Sequence, residues 1–203
     1  MIACLDLEGV LLPEIWIKFA EKSGIDELKI TTRDIPDYNK LMRTRLQILQ
    51  NHNLKINDIQ EVIKTLTPLK GARDFLLWLK SEFQVIILSD TFYEFSGPLM
   101  KQLEYPTLFC HQLVIDNKGS IIDFHLRQED QKTKAVKALQ GLNFKVISAG
   151  DSYNDTGMLK QADSGILFCP PESVIKEFPQ YPIAKNYIEF KALLMSAREK
   201  LLG

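Results

Sequence analysis

Short apolar runs alternate with longer amphipathic stretches along this chain. Runs rich in Ile, Val and Leu, bounded by Gly, Asp or Ser, occupy residues 2–7, 85–89, 145–150 and 165–169. Each run predicts a buried strand, because a parallel sheet is covered on both faces. Apolar residues three and four positions apart predict amphipathic helices at residues 71–82, 133–142, 154–162 and 187–202.

This alternation predicts an α/β fold, a doubly wound and mostly parallel sheet with helices on both faces. One segment departs from it. Within residues 108–126, two β-prone runs flank a turn that contains Gly119. Such a pattern is typical of a β-hairpin, which we place at the sheet edge.

A second departure follows the first predicted strand. From Pro13 to Pro68 the pattern is helical and carries no strand signal. Asp6 and Ser89, which end consecutive predicted core strands, are 83 residues apart, whereas a strand-helix-strand unit takes about 30. We therefore expect a helical subdomain at residues 13–68, inserted into a core formed by residues 1–12 and 69–203.

Charge and composition narrow the partners. The 203 residues include 25 Lys and Arg and 26 Asp and Glu, a formal net charge of −1. Without a basic block, nothing indicates binding to nucleic acid or to an anionic membrane, so a small-molecule ligand is expected. The three cysteines form no C-x-x-C pair, which argues against a disulfide framework or zinc site.

The N-terminal residues lack a charged leader pattern, and the apolar runs are shorter than the ~18 residues that a membrane span needs. With three cysteines expected to be reduced thiols, these features predict a cytoplasmic protein that is neither secreted nor anchored.

Candidate chemistry begins in D-L-E-G-V, where Asp6 and Glu8 follow an apolar strand. Open α/β sheets bind ligands at that end of their strands. Side chains at i and i+2 share a side unless the chain turns, and two carboxylates there repel each other unless a cation or phosphoryl group lies between them. A strand-ending turn with solvated acids is the alternative.

A second acidic group lies in A-G-D-S-Y-N-D-T, residues 149–156. Asp151 ends a predicted strand, and Asn154 or Asp155 could cap the helix that follows. Asp and Asn are common at helix starts for capping alone, so this segment by itself leaves a purely structural role open.

Two further features are equally ambiguous alone. Ser89-Asp90-Thr91 follows a strand, and its N–H groups could hold an anion. Lys132 begins a predicted helix. The first segment could equally be an ordinary turn, and Lys132 could equally be a solvated surface lysine.

The order of these features is more specific than any one of them. It resembles the haloacid dehalogenase-like phosphohydrolase superfamily, whose first motif is usually D-x-D-x-T/V and whose last is G-D-x-x-N-D. The resemblance spans nearly the whole chain and implies a Rossmann-like core with an inserted cap. The matching positions, in chain order, are Asp6, Ser89, Lys132, Asp151, Asn154 and Asp155.

Within the superfamily, the chain is similar to phosphoserine phosphatases. In that family a Glu follows the nucleophile by eight or nine residues, and an Arg lies in a cap helix of the form R-x-x-L-L. Glu14 and Arg45 hold these places, with Arg43 as a rival for the second. Without the family resemblance, Glu14 would be explained as an acid in the first turn of a helix and Arg45 as an exposed cation.

Two departures narrow the resemblance. Glu8 replaces the usual Asp, and S-D-T-F replaces S-G-G-F. Together with R-D-I-P-D-Y at 33–38, these motifs resemble a branch that combines phosphoserine phosphatase with phosphoserine:homoserine phosphotransferase activity, in serine and threonine biosynthesis. Phosphoserine and homoserine are then the expected small-molecule partners, and a homodimer is an open assembly state.

The resemblance implies a role for each matching residue. Asp6 is the nucleophile that forms an aspartyl-phosphate, and Glu8 is the general acid and base. Mg²⁺ is held by Asp6, Asp151 and the backbone carbonyl of Glu8, while Asp155 lies behind them and orients metal-bound water.

The substrate-binding residues follow from the same resemblance. Ser89 and Lys132 hold the phosphoryl oxygens, with Asp90 and Asn154 assisting. In the cap, the carboxylate of Glu14 accepts hydrogen bonds from an α-ammonium, and Arg45 grips an α-carboxylate.

Two alternatives remain at this point. One is a phosphatase for another small phosphorylated metabolite, in which Glu14 and Arg45 serve only the structure. The other is a silent phosphate-binding or regulatory module on the same fold. The presence of both Asp6 and Asp151 argues against the second.

Overall fold

The computed structural model describes residues 1–32, 34–35 and 37–203. Within these residues one seven-stranded sheet has the order β4-β3-β2-β1-β5-β6-β7. All neighbouring strands are parallel except β3 and β4. The strands are β1 (Ile2–Leu5), β2 (Gln84–Phe92), β3 (Thr107–Ile115), β4 (Ile121–His125), β5 (Val146–Gly150), β6 (Ser164–Phe168) and β7 (Ile183–Ala184). The predicted α/β fold and edge hairpin are confirmed.

The helices follow the strands in the order that the sequence pattern indicates. They are α1 (Ile15–Ser23), α2 (Tyr38–Asn51), α3 (Ile56–Lys64), α4 (Ala72–Glu82), α5 (Tyr93–Gln102), α6 (Gln131–Gly141), α7 (Thr156–Gln161), α8 (Glu172–Glu177) and α9 (Tyr187–Leu202). Short 3-10 turns cover Asp26–Lys29 and Tyr153–Asp155.

Several elements were not predicted, each for a local reason. Helix α5 contains Gly97 and Pro98, which interrupt a helical signal. Helix α8 has six residues and β7 has two, so neither is long enough to show a period. The 3-10 turn at Asp26–Lys29 is equally short.

The register of the central strands assembles one edge of the sheet. Leu5 of β1 is level with Ile87 of β2 and Ala149 of β5. Because parallel strands point the same way, the residues that follow them lie together at the carboxyl ends of the strands, which we call the carboxyl edge of the sheet. This edge carries the acidic motifs.

Strand β1 ends two residues earlier than predicted, because the chain turns sharply. The N–H groups of Leu11 and Leu12 both donate to the carbonyl oxygen of Leu7. Gly9 lies in the left-handed region with φ of +78°, a conformation that favours glycine. The turn directs residues 6–12 across the carboxyl edge of the sheet.

The segment at residues 13–68 contains α1, α2, α3 and the first 3-10 turn. Its buried side chains, Phe19 and Met42 among them, share one apolar cluster with Leu5 and Phe92 of the sheet. The Trp16 ring meets the Phe95 ring of α5 edge-on, with centroids 5.4 Å apart. The helices therefore pack directly over the edge that carries the acidic motifs. That residues 13–68 form a subdomain separate from the core stays a prediction.

The three cysteines, all in the described part of the chain, are free thiols, as expected. No helix among the described residues combines the length and the apolar character required to cross a membrane.

Candidate active site

Three aspartates meet where β1 and β5 end. Asp6 follows β1 and Asp151 follows β5, while Asp155 closes the next 3-10 turn. One carboxylate oxygen from each lies within 4.8 Å of the others. Asp6 is 4% exposed and Asp155 is fully buried, so this cluster is not a strand-ending turn with solvated acids.

The cluster concentrates negative charge in a poorly hydrated place. Burial, then the charges of Asp155 and Asp151, raise the pKa of Asp6 well above its usual value. Burial and Asp155 likewise raise the pKa of Asp151 to about 7. Carboxylates so placed are stabilised by any cation that enters between them.

Lys132, near the start of α6, supplies one cation. Its Nζ lies 2.9 Å from Asp6 Oδ1, 2.7 Å from Asp155 Oδ1 and 3.7 Å from an oxygen of Asp90. Burial alone would lower the pKa of Lys132, but these three carboxylates hold it well above its usual value. With 3% of its surface exposed, Lys132 is not a solvated surface lysine.

Two glycines make this close approach sterically possible. A Cβ added at Gly9 would lie 2.5 Å from the Asp151 carboxylate, and one at Gly150 would overlap the Asp155 side chain. Any side chain at either position would displace an aspartate. The glycines of D-L-E-G and A-G-D therefore belong to the site, although we predicted only the acids beside them.

In the described part of the chain, the side chain of Asp155 does not cap the following helix, a role that the sequence left open for either Asn154 or Asp155. Its Oδ2 accepts the N–H groups of Asp151 and Ser152, at 3.0 and 3.1 Å, and makes no side-chain cap to α7 within the described residues. These bonds draw the turn after β5 back towards the strand and fix Asp151 beside Asp6.

Asp90 lies at the centre of a polar network beside Lys132. Its carboxylate accepts hydrogen bonds from Gln131 and Asn154, each at 3.1 Å, and lies 3.6 Å from His111 Nε2. Burial opposes ionisation, but Lys132 and the three hydrogen-bonding groups hold the pKa of Asp90 well below its usual range. Asp90 is therefore a fixed negative charge.

Ser89, just before Asp90, is buried, and its hydroxyl oxygen accepts the N–H of Thr91 at 3.2 Å. Strand β2 continues to Phe92, but its register against β3 shifts after Leu88. The predicted strand end at Ser89 is thus too early, although the chain does depart from regular pairing there.

Two members of this network were missed from the sequence. Gln131 Nε2 donates to the carbonyl oxygen of Ser89 at 2.5 Å, and its Oε1 accepts from Arg127 Nε at 3.1 Å. His111 Nδ1 accepts the N–H of Arg127 at 3.1 Å. The available signal was a histidine inside an apolar strand and a glutamine beside Lys132.

The Glu8 side chain reaches from the turn after β1 to the start of α1. Its Oε2 accepts the N–H of Ile15 at 2.8 Å, at the start of α1. Burial and the nearby Glu14 charge raise its pKa to about 8. The carboxylates of Asp6 and Glu8 were expected to share one side of the strand unless the chain turned between them. The chain does turn after β1, and the carboxylates whose charges raise the pKa of Asp6 are Asp155 and Asp151.

Arg45 and Arg43 point in different directions from α2. Arg45 is 7% exposed. Its guanidinium lies 4.6 Å from the centre of the Trp16 ring and donates to the carbonyl oxygen of Ile30 at 2.7 Å. Arg43 is exposed and pairs with Asp123 at 3.7 Å.

The guanidinium of Arg45 has unused hydrogen-bonding capacity. Its buried Nε has no partner among the described residues. Burial lowers the pKa of Arg45 to about 10, while Tyr38, Glu8 and Glu14 oppose that shift. Because a buried donor without a partner is costly, this nitrogen fits a site for an acidic ligand group.

Glu14 is exposed and immediately precedes α1. Its charge acts on Glu8, Asp151 and Arg45. It is thus near enough to both Arg45 and Asp151 for its charge to act on each. The motif R-D-I-P-D-Y is only partly visible, because Arg33 and Pro36 lie outside the described residues.

Comparison with known proteins agrees with this geometry. A family model described as haloacid dehalogenase-like hydrolase matches residues 2–163. The chain is 60% identical over 202 residues to phosphoserine phosphatase ThrH of Pseudomonas aeruginosa, covering 100% of this chain and 98% of that protein. It is 57% identical over 201 residues to a phosphoserine phosphatase of Pseudomonas syringae, covering 99% and 85%.

Solved structures share the fold. A substrate-bound phosphoserine phosphatase complex superposes with a TM-score of 0.75 at 19% identity, covering 96% of this chain and 97% of the other. A phospho-aspartyl intermediate analogue of phosphoserine phosphatase gives 0.73 at 21% identity, covering 90% and 91%.

Proposed function

Because the chain belongs to the haloacid dehalogenase-like hydrolase family, we propose that it hydrolyses phosphoserine through an aspartyl-phosphate on Asp6. The observation that carries this proposal is the cluster of Asp6, Asp151 and Asp155, with the buried Lys132 paired to Asp6 and Asp155. The two Pseudomonas relatives, both named phosphoserine phosphatases, support the choice of substrate.

We propose Mg²⁺ as the cofactor, held by Asp6, Asp151 and the backbone carbonyl of Glu8, with Asp155 behind them. Clustered carboxylate oxygens are the ligands that this hard cation prefers. A bound cation would also relieve the repulsion between the three carboxylates. When bound, the ion would neutralise charge on the phosphoryl group and on Asp6.

The chemistry then falls to the protein's own side chains. A carboxylate oxygen of Asp6 attacks phosphorus, and the bond from phosphorus to the serine oxygen breaks. Glu8, whose pKa is raised to about 8, is protonated at neutral pH and gives its proton to the departing serine oxygen. In the second step Glu8 takes a proton from water as that water attacks the phosphorus, and Asp6 is released.

Charge around the phosphoryl group would be balanced by neighbouring residues. The hydroxyl of Ser89 and the ammonium of Lys132 would donate to phosphoryl oxygens. Asn154 is fixed by Asp90, and Asp90 is fixed by Gln131, so both would hold their positions while substrate binds. Preorganised donors of this kind need little rearrangement during reaction.

Specificity would come from the segment at residues 13–68, acting as a cap on the core formed by residues 1–12 and 69–203. The guanidinium of Arg45 would bind the α-carboxylate of phosphoserine, and Glu14 would bind its α-ammonium. The free Nε of Arg45 and the exposed carboxylate of Glu14 support this assignment.

The same pocket would admit homoserine, which presents the same ammonium and carboxylate with one more methylene before its hydroxyl. We propose that homoserine competes with water for the aspartyl-phosphate. Its hydroxyl proton would pass to Glu8 as the new bond from oxygen to phosphorus forms. Phosphohomoserine would then leave and Asp6 would be regenerated.

Labelled phosphoserine tests hydrolysis and transfer in one experiment. With Mg²⁺ and homoserine rising to about 10 mM, above most KM values, free phosphate should fall as phosphohomoserine appears. Both products should vanish when the cation is chelated by EDTA. Hydrolysis without phosphohomoserine would mean a plain phosphatase, and turnover of other phosphate esters in preference to phosphoserine would mean a different substrate.

Changing Arg45 to alanine should weaken use of phosphoserine far more than use of p-nitrophenyl phosphate, which has no carboxylate to bind. Losing one side of a partly desolvated charge pair costs about 2–5 kcal/mol, which should appear in kcat/KM for phosphoserine. Arg43→Ala is the matched control and should leave kcat/KM unchanged for both substrates. Equal losses on both substrates in Arg45→Ala would assign Arg45 to the fold or to the phosphate.

We place this activity in the cytoplasm, in keeping with a biosynthetic role for the two amino acids. The homodimer stays a prediction, which light scattering of the purified protein would test.

A further inference from the structure

Two of the motifs named in the sequence analysis meet in the fold. Tyr38 ends R-D-I-P-D-Y and begins α2, while Asp90 lies in L-S-D-T-F, just beyond the residues of β2 that pair regularly with β1. The Tyr38 hydroxyl donates to the backbone carbonyl oxygen of Asp90 at 2.6 Å. This bond joins the first residue of a cap helix to the irregular end of β2, residues 89–92, which would hold phosphate and is called the phosphate turn below.

Both ends of this bond are firmly placed. Asp37 caps α2 by accepting the N–H of Lys40 at 3.1 Å, which fixes where the helix begins. The Tyr38 ring lies 5.8 Å from the His111 ring and 6.4 Å from the Phe124 ring, both in the edge hairpin. The hydroxyl therefore has little freedom to choose another partner.

The turn at Asp90 is equally constrained. Gln131 binds both the carbonyl oxygen of Ser89 and the carboxylate of Asp90, and Asn154 binds the same carboxylate. A carbonyl held in such a network is a rigid acceptor. Burial and the Asp90 charge also raise the pKa of Tyr38 well above its usual value, so its hydroxyl stays a donor at working pH.

Helix geometry relates Tyr38 to the proposed carboxylate ligand. Arg45 is seven residues further along α2, which is nearly two turns at 3.6 residues per turn, so the two side chains share one side of the helix. A bond that fixes the start of α2 against the phosphate turn therefore also fixes the distance from that turn to Arg45.

We propose that Tyr38 is a positioning residue, which latches the cap helix to the phosphate-binding turn so that the amino-acid pocket and the phosphoryl site keep one spacing. This role rests on the proposed function. With the latch made, a bound amino acid is held in line with Asp6, and water has less access to the aspartyl-phosphate. With the latch lost, phosphoserine binds less well and hydrolysis gains over transfer.

The variant Tyr38→Phe tests this role, because it keeps the ring and removes the hydroxyl. One neutral hydrogen bond is worth a change of about 3- to 10-fold. We expect KM for phosphoserine to rise, and the ratio of phosphohomoserine to free phosphate to fall, by such a factor. The kcat/KM for p-nitrophenyl phosphate, which does not use Arg45, should stay within about twofold of wild type.

Tyr93→Phe is the matched control. The Tyr93 hydroxyl donates to the carbonyl oxygen of Leu108 at 2.9 Å, so this variant also loses one bond from a helix-starting tyrosine to a strand. Tyr93 begins α5, not α2, and is exposed. The control should leave KM, product ratio and p-nitrophenyl phosphate turnover unchanged.

Amide hydrogen exchange gives a readout that needs no turnover. Peptides covering the first turns of α2 should exchange about 3- to 10-fold faster in Tyr38→Phe and at the wild-type rate in Tyr93→Phe. If the wild type does not act on phosphoserine, the proposed function is wrong, but the exchange rates of α2 still test whether the Tyr38 bond holds the helix in place. Unchanged exchange and unchanged KM in Tyr38→Phe would overturn the latch, and equal losses on both phosphate esters would assign Tyr38 to the phosphate turn alone.

Discussion

Replacing Asp6 by asparagine is expected to abolish turnover of phosphoserine, with a loss of roughly four orders of magnitude or more. An amide oxygen is a poor nucleophile, and the substitution also removes one charged ligand from the proposed cation site. Both hydrolysis and transfer should disappear together, because both pass through one covalent species. Single-turnover assays with labelled phosphoserine would detect any residual aspartyl-phosphate.

The fold should survive this change. Asp155 and Asp151 repel Asp6, and Asp155 would keep its own contact with Lys132 at 2.7 Å. The thermal midpoint of Asp6→Asn should therefore equal or exceed that of wild type. Asp26→Asn, at an exposed acid on the surface, is the control for the substitution itself. A tenth of wild-type kcat surviving in Asp6→Asn would remove Asp6 from the nucleophile role.

Replacing Lys132 by methionine is expected to harm both activity and stability. Methionine keeps a similar length but leaves Asp6 and Asp155 buried without their cation. Removing one partner of a buried ion pair costs about 3–5 kcal/mol. Urea unfolding in the absence of divalent cations should show a loss of that size, and turnover should fall in parallel.

Mg²⁺ should recover part of the stability lost in Lys132→Met, because a ligand that binds only the folded state stabilises it. Lys145→Met is the matched control, since Lys145 pairs with Asp163 at the surface, and exposed pairs contribute little. If Lys132→Met unfolds at the wild-type urea concentration, the buried lysine does not balance the aspartates as we infer.

Much of the fold could be predicted from local patterns, because the buried strands and their covering helices repeat with clear periods. Helix α9 has the predicted bounds, Tyr187–Leu202. The edge hairpin was visible as two β-prone runs around Gly119. The elements that were missed are short or contain helix-breaking residues, and they are held by packing that no local window contains.

The site could be predicted as a set of residues but not as a geometry. Motif order identifies Asp6, Lys132 and Asp151, yet only the folded chain brings Asp155 against Lys132. The contact between Gly9 and Asp151 depends on two strands that are adjacent in space and far apart in sequence. Likewise, Arg45 and Arg43 differ by two positions, and their separate directions follow from the packing of α2 against Trp16.

The loop after β1 is also tied to the far end of the chain. The hydroxyl of Tyr187, the first residue of α9, donates to the carbonyl oxygen of Val10 at 2.7 Å, across 177 residues of sequence. The Tyr187 ring stacks on Phe75 and Phe168. Because this brace comes from α9, a chain still under synthesis cannot hold the loop through Tyr187 until that helix has been made. The loop that begins at Asp6 therefore gains this brace only after α9 is in place, although the loop itself is among the first residues to be synthesised.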